Sequence, residues 1–325
     1  MSEAILGIDV AKKSCEASLR MQGKLYHRSF GNRLEGFAEL SNWLGKHKAG
    51  RVHACMEATG RYWEELAEYL FHQGHIVSVV NPARIHDYAR SKLVRNKTDK
   101  LDADLIADFC ATQAPEAWAP PPPAVRELQA LVRHLEALQE MRTQESNRLQ
   151  SGVPSEPVKQ SLQSHLTFLD QQIAAIEQQI NQHIDQDPDL KRQTELLTSI
   201  PGIGPKTAAK LLGENIQTFT STRAAVAYAG LNPQLKESGT SVHRRPHLSK
   251  IGNARLRKAL YLPAVVAMKY NPIVRSHCSR LASRGKVKMV QVGAAMRKLL
   301  CLAVGVLKSG LPFDPAFAHP IQALP

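Results

Sequence analysis

The order of hydrophobic segments in the first 110 residues most constrains the fold. Residues 4–9 (AILGID) predict a buried strand that ends in an acid, and two more strands, SCEASLRM and KLYHRSF, follow around a Gln22-Gly23 turn. Helical and strand-like segments then alternate, which gives the overall order βββαβαβα. A meander followed by such alternation predicts an α/β domain with a mixed sheet and helices packed on it.

Two predicted strands of this sheet end in acids, Asp9 and Glu57. Neighbouring parallel strands place such ends side by side, and chemistry in open α/β sheets gathers at strand ends. The alternative for each residue is ordinary: Asp9 as a turn residue after a strand, and Glu57 as an acid at the entry to a helix.

Residues 95–109 (RNKTDKLDADLIADF) add four aspartates within ten positions. We expect a helix with Asp99 as its N-cap. Its apolar stripe is predicted to consist of Leu101, Leu105, Ile106 and Phe109. Asp102 then falls inside the stripe with Asp99 one turn back, whereas Asp104 and Asp108 fall beside or opposite it and are expected in solvent. The alternative for the first two is that Asp99 is only a helix cap and Asp102 a partly exposed acid.

Four acids from three segments (Asp9, Glu57, Asp99 and Asp102) are thus predicted to converge. Carboxylates at one point repel each other unless divalent cations neutralise them, and two magnesium ions roughly 4 Å apart would suffice. The strand order with acids at these places resembles the ribonuclease-H-like fold in its RuvC-type nuclease variant.

Charge is distributed unevenly along the chain. The net charge is +13 with a pI near 9.6, and the segment from Lys236 to Lys308 holds 16 Lys or Arg against one acid, Glu237. This asymmetry favours a nucleic acid as partner. Five scattered cysteines without CxxC spacing indicate a reducing compartment. With no visible signal peptide, and with its longest apolar run (299–307) too short for a bilayer, the chain is predicted to be cytoplasmic.

The remaining chain predicts two further regions, so that the domains are 1–118, 119–190 and 191–325. The proline run 119–124 (APPPPA) precedes two long helical patterns with heptad-like leucine and isoleucine spacing. They predict a helical hairpin or coiled coil, either an intramolecular hairpin or a dimerisation element. In the mainly helical last domain, SIPGIGPKTA predicts a helix-hairpin-helix in which Gly202, Gly204 and Lys206 contact a phosphate backbone. The alternative is a motif that serves only as a packing unit.

Hydroxyl groups precede a basic run at 237–263 (ESGTSVHRRPHLSKIGNARLRKALYLP). Ser238, Thr240 and Ser241 are either phosphate-binding hydroxyls of a polar loop or include a nucleophile that attacks a phosphodiester beside arginines. Residue types alone leave both open. The basic residues predicted to bind nucleic acid here are Arg244, Arg245, Lys250, Arg255, Arg257 and Lys258.

Together, GIDVAKK, MEATG, RNKTDKLDA, SIPGIGPKTA and SGTSVHRRPHLSKIGNARLRKALY make the chain similar, over nearly its full length, to the insertion-sequence 110 family, the Piv-type or DEDD transposases. The resemblance implies that Asp9, Glu57, Asp99 and Asp102 bind Mg²⁺ (or Mn²⁺). It implies that Ser241 forms a covalent phosphoserine with donor and target DNA. It also implies a non-coding bridge RNA that pairs with these DNAs and acts as the guide.

Since the acids and Ser241 lie on separate domains, a dimer or tetramer is expected to bring them together. Two alternatives remain: a nuclease that uses only metal-bound water, and a nucleic-acid-binding protein with a decayed nuclease domain.

Overall fold

The structure, a computed structural model, describes residues 4–93, 98–153, 155–238 and 242–316, and between 235 and 246 it describes the backbone alone. The chain divides into two compact units, Met1–Pro120 and Pro121–Pro325. Each unit has its own core and is considered separately below.

The first unit contains a five-stranded mixed sheet. Its elements are β1 (Ala4–Val10), β2 (Ser14–Met21), β3 (Lys24–Gly31), α1 (Leu34–Lys46), β4 (Val52–Glu57), α2 (Glu64–His72), β5 (Ile76–Val80), α3 (Pro82–Ser91) and α4 (Asp99–Gln113). The strand order is β3-β2-β1-β4-β5, with β1 antiparallel to β2 and parallel to β4. This confirms the predicted mixed sheet and is consistent with a nuclease-like domain.

Alternation along the strands gives the sheet two different faces. Leu6 and Ile8 of β1 and Met56 of β4 belong to the core that also holds buried residues of α1 and α2. Gly7 faces the other way, against α4, and Cys55 joins a second cluster with α3 and α4. Asp9 and Glu57 each lie two residues further along, so they are on the α4 face.

The second unit is mostly helical, as predicted. Its helices are α5 (Pro123–Gln150), α6 (Glu156–Gln186), α7 (Pro188–Thr198), α8 (Pro205–Gly213), a 3-10 turn (Ile216–Thr218), α9 (Thr222–Tyr228), α10 (Ala254–Tyr270), α11 (Pro272–Ser283) and α12 (Lys288–Ser309). The long helices α5 and α6 pack against each other. The sequence did not predict the antiparallel hairpin of β6 (Pro233–Ser238) and β7 (Val242–Leu248).

Helix α12 is long and apolar enough to cross a membrane by length and composition, with a mean hydropathy of 1.6 in its best window. The apolar run identified in the sequence, 299–307, begins directly after Lys298, whereas the helix begins ten residues before Lys298. About 56% of that window is buried inside the protein, against α10, α11 and other helices. This burial is typical of a core helix.

Candidate metal site and nucleic-acid interface

The ends of two parallel strands bring Asp9 and Glu57 side by side. The β1–β4 register pairs Ile8 with Met56, so Asp9 and Glu57 are the next residues on strands about 4.8 Å apart. Both are half-buried and lie on the α4 face of the sheet. The predicted placement of these two acids at neighbouring strand ends is therefore present in the backbone.

Two polar contacts fix the direction of α4 across the sheet. Ser18 of β2 donates a hydrogen bond to Asp104, and Arg20 donates one to Asp108 at 2.8 Å. Helix α4 therefore runs in the direction of β2 and opposite to β1. Since Ser18 pairs with Gly7, the turn of α4 before Asp104 lies at the level of Asp9. The first turn of α4 thus reaches the edge where the strand acids lie.

Gly7 allows α4 to approach β1 closely. A Cβ atom at this position would lie 2.3 Å from both the carbonyl oxygen of Ala103 and the amide nitrogen of Ala107. Any side chain here would force the helix away from the sheet. The glycine of the GIDV motif therefore sets the distance between the strand that carries Asp9 and the helix that carries Asp99 and Asp102.

The first turn of α4 differs in detail from the sequence prediction. Thr98, not Asp99, is the N-cap, and its hydroxyl accepts a hydrogen bond from the Leu101 amide at 3.3 Å. Leu101 is 41% exposed, so the predicted stripe is wrong at its start. The buried residues of the helix are Ala103, Ile106, Ala107, Phe109 and Cys110. Asp99 lies one turn before this buried stripe, on the same side of the helix, and is exposed. Asp102 lies at the edge of the stripe and is half-buried.

The expectation that Asp104 and Asp108 are solvated is also wrong. Asp104 accepts hydrogen bonds from Ser18 and His27, and Asp108 accepts them from Arg20 and from Tyr88 at 2.7 Å. The reason is tertiary: α4 crosses β2 and β3, whose polar side chains on this face reach the helix.

Asp108 also forms an ion pair with Lys92 at 3.0 Å. Burial raises the pKa of Asp108, but the hydrogen bonds from Tyr88, Lys92 and Arg20 outweigh burial and hold that pKa below its usual value. Asp108 is therefore a charged anchor between α4 and its neighbours.

One further acid, which was not among the predicted site residues, lies at the level of Asp9. Glu16 of β2 pairs with Asp9 of β1. Its Oε2 atom is buried and has no hydrogen-bond partner among the described residues. The alternation of β2, with Glu16 two residues before Ser18, is the sequence signal that would have indicated its face. We call Asp9, Glu16, Glu57, Asp99 and Asp102 the acidic edge.

The acidic edge fits a divalent cation by its chemistry. Carboxylate oxygens are the ligands that Mg²⁺ and Mn²⁺ prefer, and the buried Oε2 of Glu16 is satisfied by no protein donor in the described chain. Within the described residues, no three His, Cys, Asp or Glu side chains already close around one point. The backbone thus brings the strand acids and the first turn of α4 to one edge of the sheet.

In the second unit, the Gly-Ile-Gly turn lies between α7 and α8, as predicted. Gly202 has a φ of +110°, and a Cβ there would lie 2.8 Å from the Cβ of Ala267 on α10, so this glycine serves internal packing. Gly204 is the N-cap of α8 and has open space beside it in the described structure. Of the two glycines, Gly204 is therefore the one that can approach a phosphate.

Three lysines lie beside this turn, and each is held by a glutamate of the long helices. Lys206 and Lys210 are on α8 and Lys258 is on α10. Their Nζ–Oε1 distances are 2.6 Å for Lys206–Glu177, 3.3 Å for Lys210–Glu136 and 2.8 Å for Lys258–Glu140. The three lysines line a cavity of about 230 Å³. We call this the lysine groove.

The other predicted nucleic-acid ligands differ in their surroundings. Lys250 and Arg255 are exposed. Arg257 is half-buried, and its Nη1 donates to the carbonyl oxygens of Ala229 at 2.9 Å and Gly252 at 3.2 Å, so its guanidinium is bonded internally. The side chains of Arg244 and Arg245 and the whole of Thr240 and Ser241 lie outside the described residues.

Comparison with known proteins identifies the family. Residues 6–154 match a family described as transposase, and residues 194–279 match the family described as transposase IS116/IS110/IS902. The chain is 35% identical over 320 residues to the pilin gene-inverting proteins of Moraxella bovis and of Moraxella lacunata, covering 97% of this chain and 98% of each relative.

A shorter match reaches an insertion-element protein. The Streptomyces coelicolor "insertion element IS110 uncharacterized 43.6 kDa protein" is 35% identical over 157 residues, which cover 47% of this chain and 37% of that protein. The matches span both units and nearly the full length, so the chain belongs to the IS110 family of transposases, which implies a DNA-processing enzyme that cuts and rejoins strands.

Proposed function

We propose that this transposase cuts DNA by attack of Ser241 on a phosphodiester, with divalent cations bound by Asp9, Glu57, Asp99 and Asp102. The observation that carries the proposal is the direction of α4, which puts its first turn at the level of Asp9 and Glu57. The role of Ser241 is supported by its SGTS motif beside Arg244 and Arg245 in a member of this family.

The chemistry is a balanced exchange of phosphoester bonds. Ser241 Oγ gives up its proton and bonds to phosphorus while the bond from phosphorus to one deoxyribose oxygen breaks, and that oxygen leaves as a hydroxyl. In rejoining, a deoxyribose hydroxyl attacks the phosphoserine and Ser241 regains its proton. A serine hydroxyl is a weak nucleophile at neutral pH. Bound divalent cations supply activation of the nucleophile and stabilisation of the charge on the phosphate oxygens.

The second unit is proposed to hold the nucleic acids. Its sixteen-to-one excess of basic residues between 236 and 308 supports binding to phosphates of donor and target DNA. We further propose a non-coding bridge RNA as guide and a dimer or tetramer as the active form. The guide rests on family resemblance. The oligomer rests on the separation of Ser241 and the acids in sequence, since one subunit's acids would serve another's serine.

Trapping of the covalent intermediate tests the function. Labelled DNA carrying a nick beside the cleavage site is incubated with the full chain and Mg²⁺, and the products are separated by denaturing electrophoresis before and after protease treatment. The wild type is expected to give a protease-sensitive DNA adduct. Ser241→Ala is expected to bind DNA, form no adduct and give no cleavage, whereas Ser238→Ala and Thr240→Ala keep at least part of the activity.

The second candidate function is a nuclease in which metal-activated water, not serine, attacks the phosphate. The acidic edge on its own would support this reaction. Cleavage by the wild type without any adduct would favour the nuclease and reject the serine assignment. An adduct that survives in Ser241→Ala would also reject Ser241 as the nucleophile, but it would point to another residue of the chain rather than to water.

A further inference from the structure

We propose that Glu16 is a fifth carboxylate of the divalent-cation site and binds the cation directly. This inference rests on the proposed function, because it extends the site formed by Asp9, Glu57, Asp99 and Asp102. It assigns a metal-binding role to a residue on β2, a strand that contributes none of those four acids.

The position of Glu16 follows from the register of the sheet. Glu16 lies directly opposite Asp9 in the β1–β2 pair, and Asp9 lies beside Glu57 across the β1–β4 pair. Ser18, two residues along β2, contacts Asp104 of α4, so Glu16 also faces α4. Three carboxylates therefore follow one another across adjacent strands on one face, with Asp9 in the middle.

The surroundings of Glu16 point to a cation rather than a protein partner. Its Oε2 atom is buried without a hydrogen-bond donor among the described residues. A buried carboxylate oxygen without a hydrogen-bond donor is costly. On the same face of the sheet, Asp104 and Asp108 are each bonded by protein donors. Glu16 lacks them for one of its oxygens.

The fold therefore leaves one oxygen of Glu16 available at the level of the proposed ligands. A hard divalent cation with oxygen ligands matches it, and Asp9 can share a cation with a neighbour on either side. Binding would then bring a positive charge to the buried Oε2 atom of Glu16.

Direct titration with Mn²⁺ tests the inference without reference to activity. Binding to the full chain is measured by calorimetry and by the loss of the free Mn²⁺ signal in electron paramagnetic resonance. Glu16→Gln is expected to weaken binding by at least about tenfold, an effect typical of groups that support a metal site. Glu35→Gln, which changes an exposed glutamate of α1, is the matched control and is expected to bind as the wild type does.

Asp9→Asn separates this inference from the function on which it rests. If Asp9→Asn loses Mn²⁺ binding while Glu16→Gln and Glu16→Asp both bind like the wild type, Glu16 is not a ligand and the proposed site stands without it. If the wild type itself binds no Mn²⁺, the proposed site fails and the inference fails with it.

Thermal unfolding distinguishes a ligand from a structural residue. In a chelator, Glu16→Gln is expected to melt at or above the temperature of the wild type, because one like charge is removed. Addition of Mg²⁺ should raise its melting temperature less than that of the wild type. A lower melting temperature in chelator combined with an unchanged Mg²⁺ response would show a structural role and overturn the inference. Glu16→Asp, which keeps the charge but shortens the reach, gives a second test of weakened binding.

Discussion

The acidic edge and the lysine groove handle concentrated charge in opposite ways. At the acidic edge, adjacent strands and the first turn of α4 bring acids of one sign together at backbone spacing. In the lysine groove, each of Lys206, Lys210 and Lys258 has a glutamate partner within the same unit. Under the proposed function, the first arrangement holds a divalent cation. The second already has its counter-ions, which a phosphate backbone would have to displace.

The largest expected effect comes from removing one charge of the acidic edge. Asp102→Asn should lower DNA cleavage at least about a thousandfold, because loss of a ligand removes several kcal/mol of stabilisation of the phosphate charge. The change keeps the shape of a half-buried side chain, so the melting temperature should be nearly unchanged. Cleavage rates with Mg²⁺, and with a chelator, measure the effect.

Asp87→Asn is the matched control for this substitution. Asp87 is a highly exposed aspartate of α3, and its change should leave cleavage at the wild-type rate. Recombination by Asp102→Asn at the wild-type rate in Mg²⁺ would show that the four acids are not the metal site.

A smaller effect, on stability, is expected at the anchors of α4. Asp108→Asn should lower the free energy of unfolding at pH 7 by about 1–3 kcal/mol, because charged hydrogen bonds to Arg20 and Tyr88 and the ion pair with Lys92 are weakened. The pKa of Asp108 is held below its unfolded value. Its contribution is therefore complete above about pH 4 and is lost as pH falls through the folded pKa.

Chemical denaturation at pH 7 and at pH 3 measures this difference. The wild type and Asp108→Asn should differ at pH 7, and the difference should narrow as the pH falls below about 4. A difference that is constant with pH would mean that the charge of Asp108 does not stabilise α4.

These anchors show what the sequence could and could not predict. The strand ends at Asp9 and Glu57 were predicted from hydrophobic runs that end in an acid, and such a run is a local sequence pattern. The roles of Asp104 and Asp108 depended on which strands α4 crosses, and helical spacing alone does not contain that information. The metal role proposed for Glu16 was missed for the same reason: its pairing with Asp9 is a property of the β1–β2 register.

The same limit applies in the second unit. The glycines of SIPGIGPKTA predicted a turn between two helices, which is present, but not that Gly202 is required by contact with Ala267 on α10. The basic excess predicted a polyanion partner without indicating that Lys206 and Lys258 are paired with Glu177 and Glu140. Local sequence patterns predicted the helices and the turn between them, whereas the partner of each charged side chain depends on tertiary packing.

For the second unit, binding of duplex DNA should depend strongly on salt. The logarithm of the affinity should fall linearly with the logarithm of salt concentration, with a slope of nearly one unit for each phosphate contacted. Lys258→Gln should reduce that slope by about one if this lysine reaches a phosphate. A slope near zero for the wild type would reject the basic segment as a nucleic-acid surface.

The smallest effect is expected from the counter-ions of the lysine groove. If Glu177 and Glu140 compete with phosphates for Lys206 and Lys258, then Glu177→Gln and Glu140→Gln should each raise the affinity for duplex DNA about two- to fivefold, the scale of an exposed ion pair. The hydrogen bond from Lys258 holds the pKa of Glu140 below its usual value, so this glutamate is charged at the pH of the assay.

Glu156→Gln is the control for these two variants, because it removes the same charge from the first turn of α6, where Glu156 pairs with Lys159. It therefore reports the general effect of lowering negative charge on the long helices. Equal gains in DNA affinity in all three variants would show only a non-specific effect of charge. A gain confined to Glu177→Gln and Glu140→Gln would show that DNA phosphates replace these carboxylates as partners of the lysines.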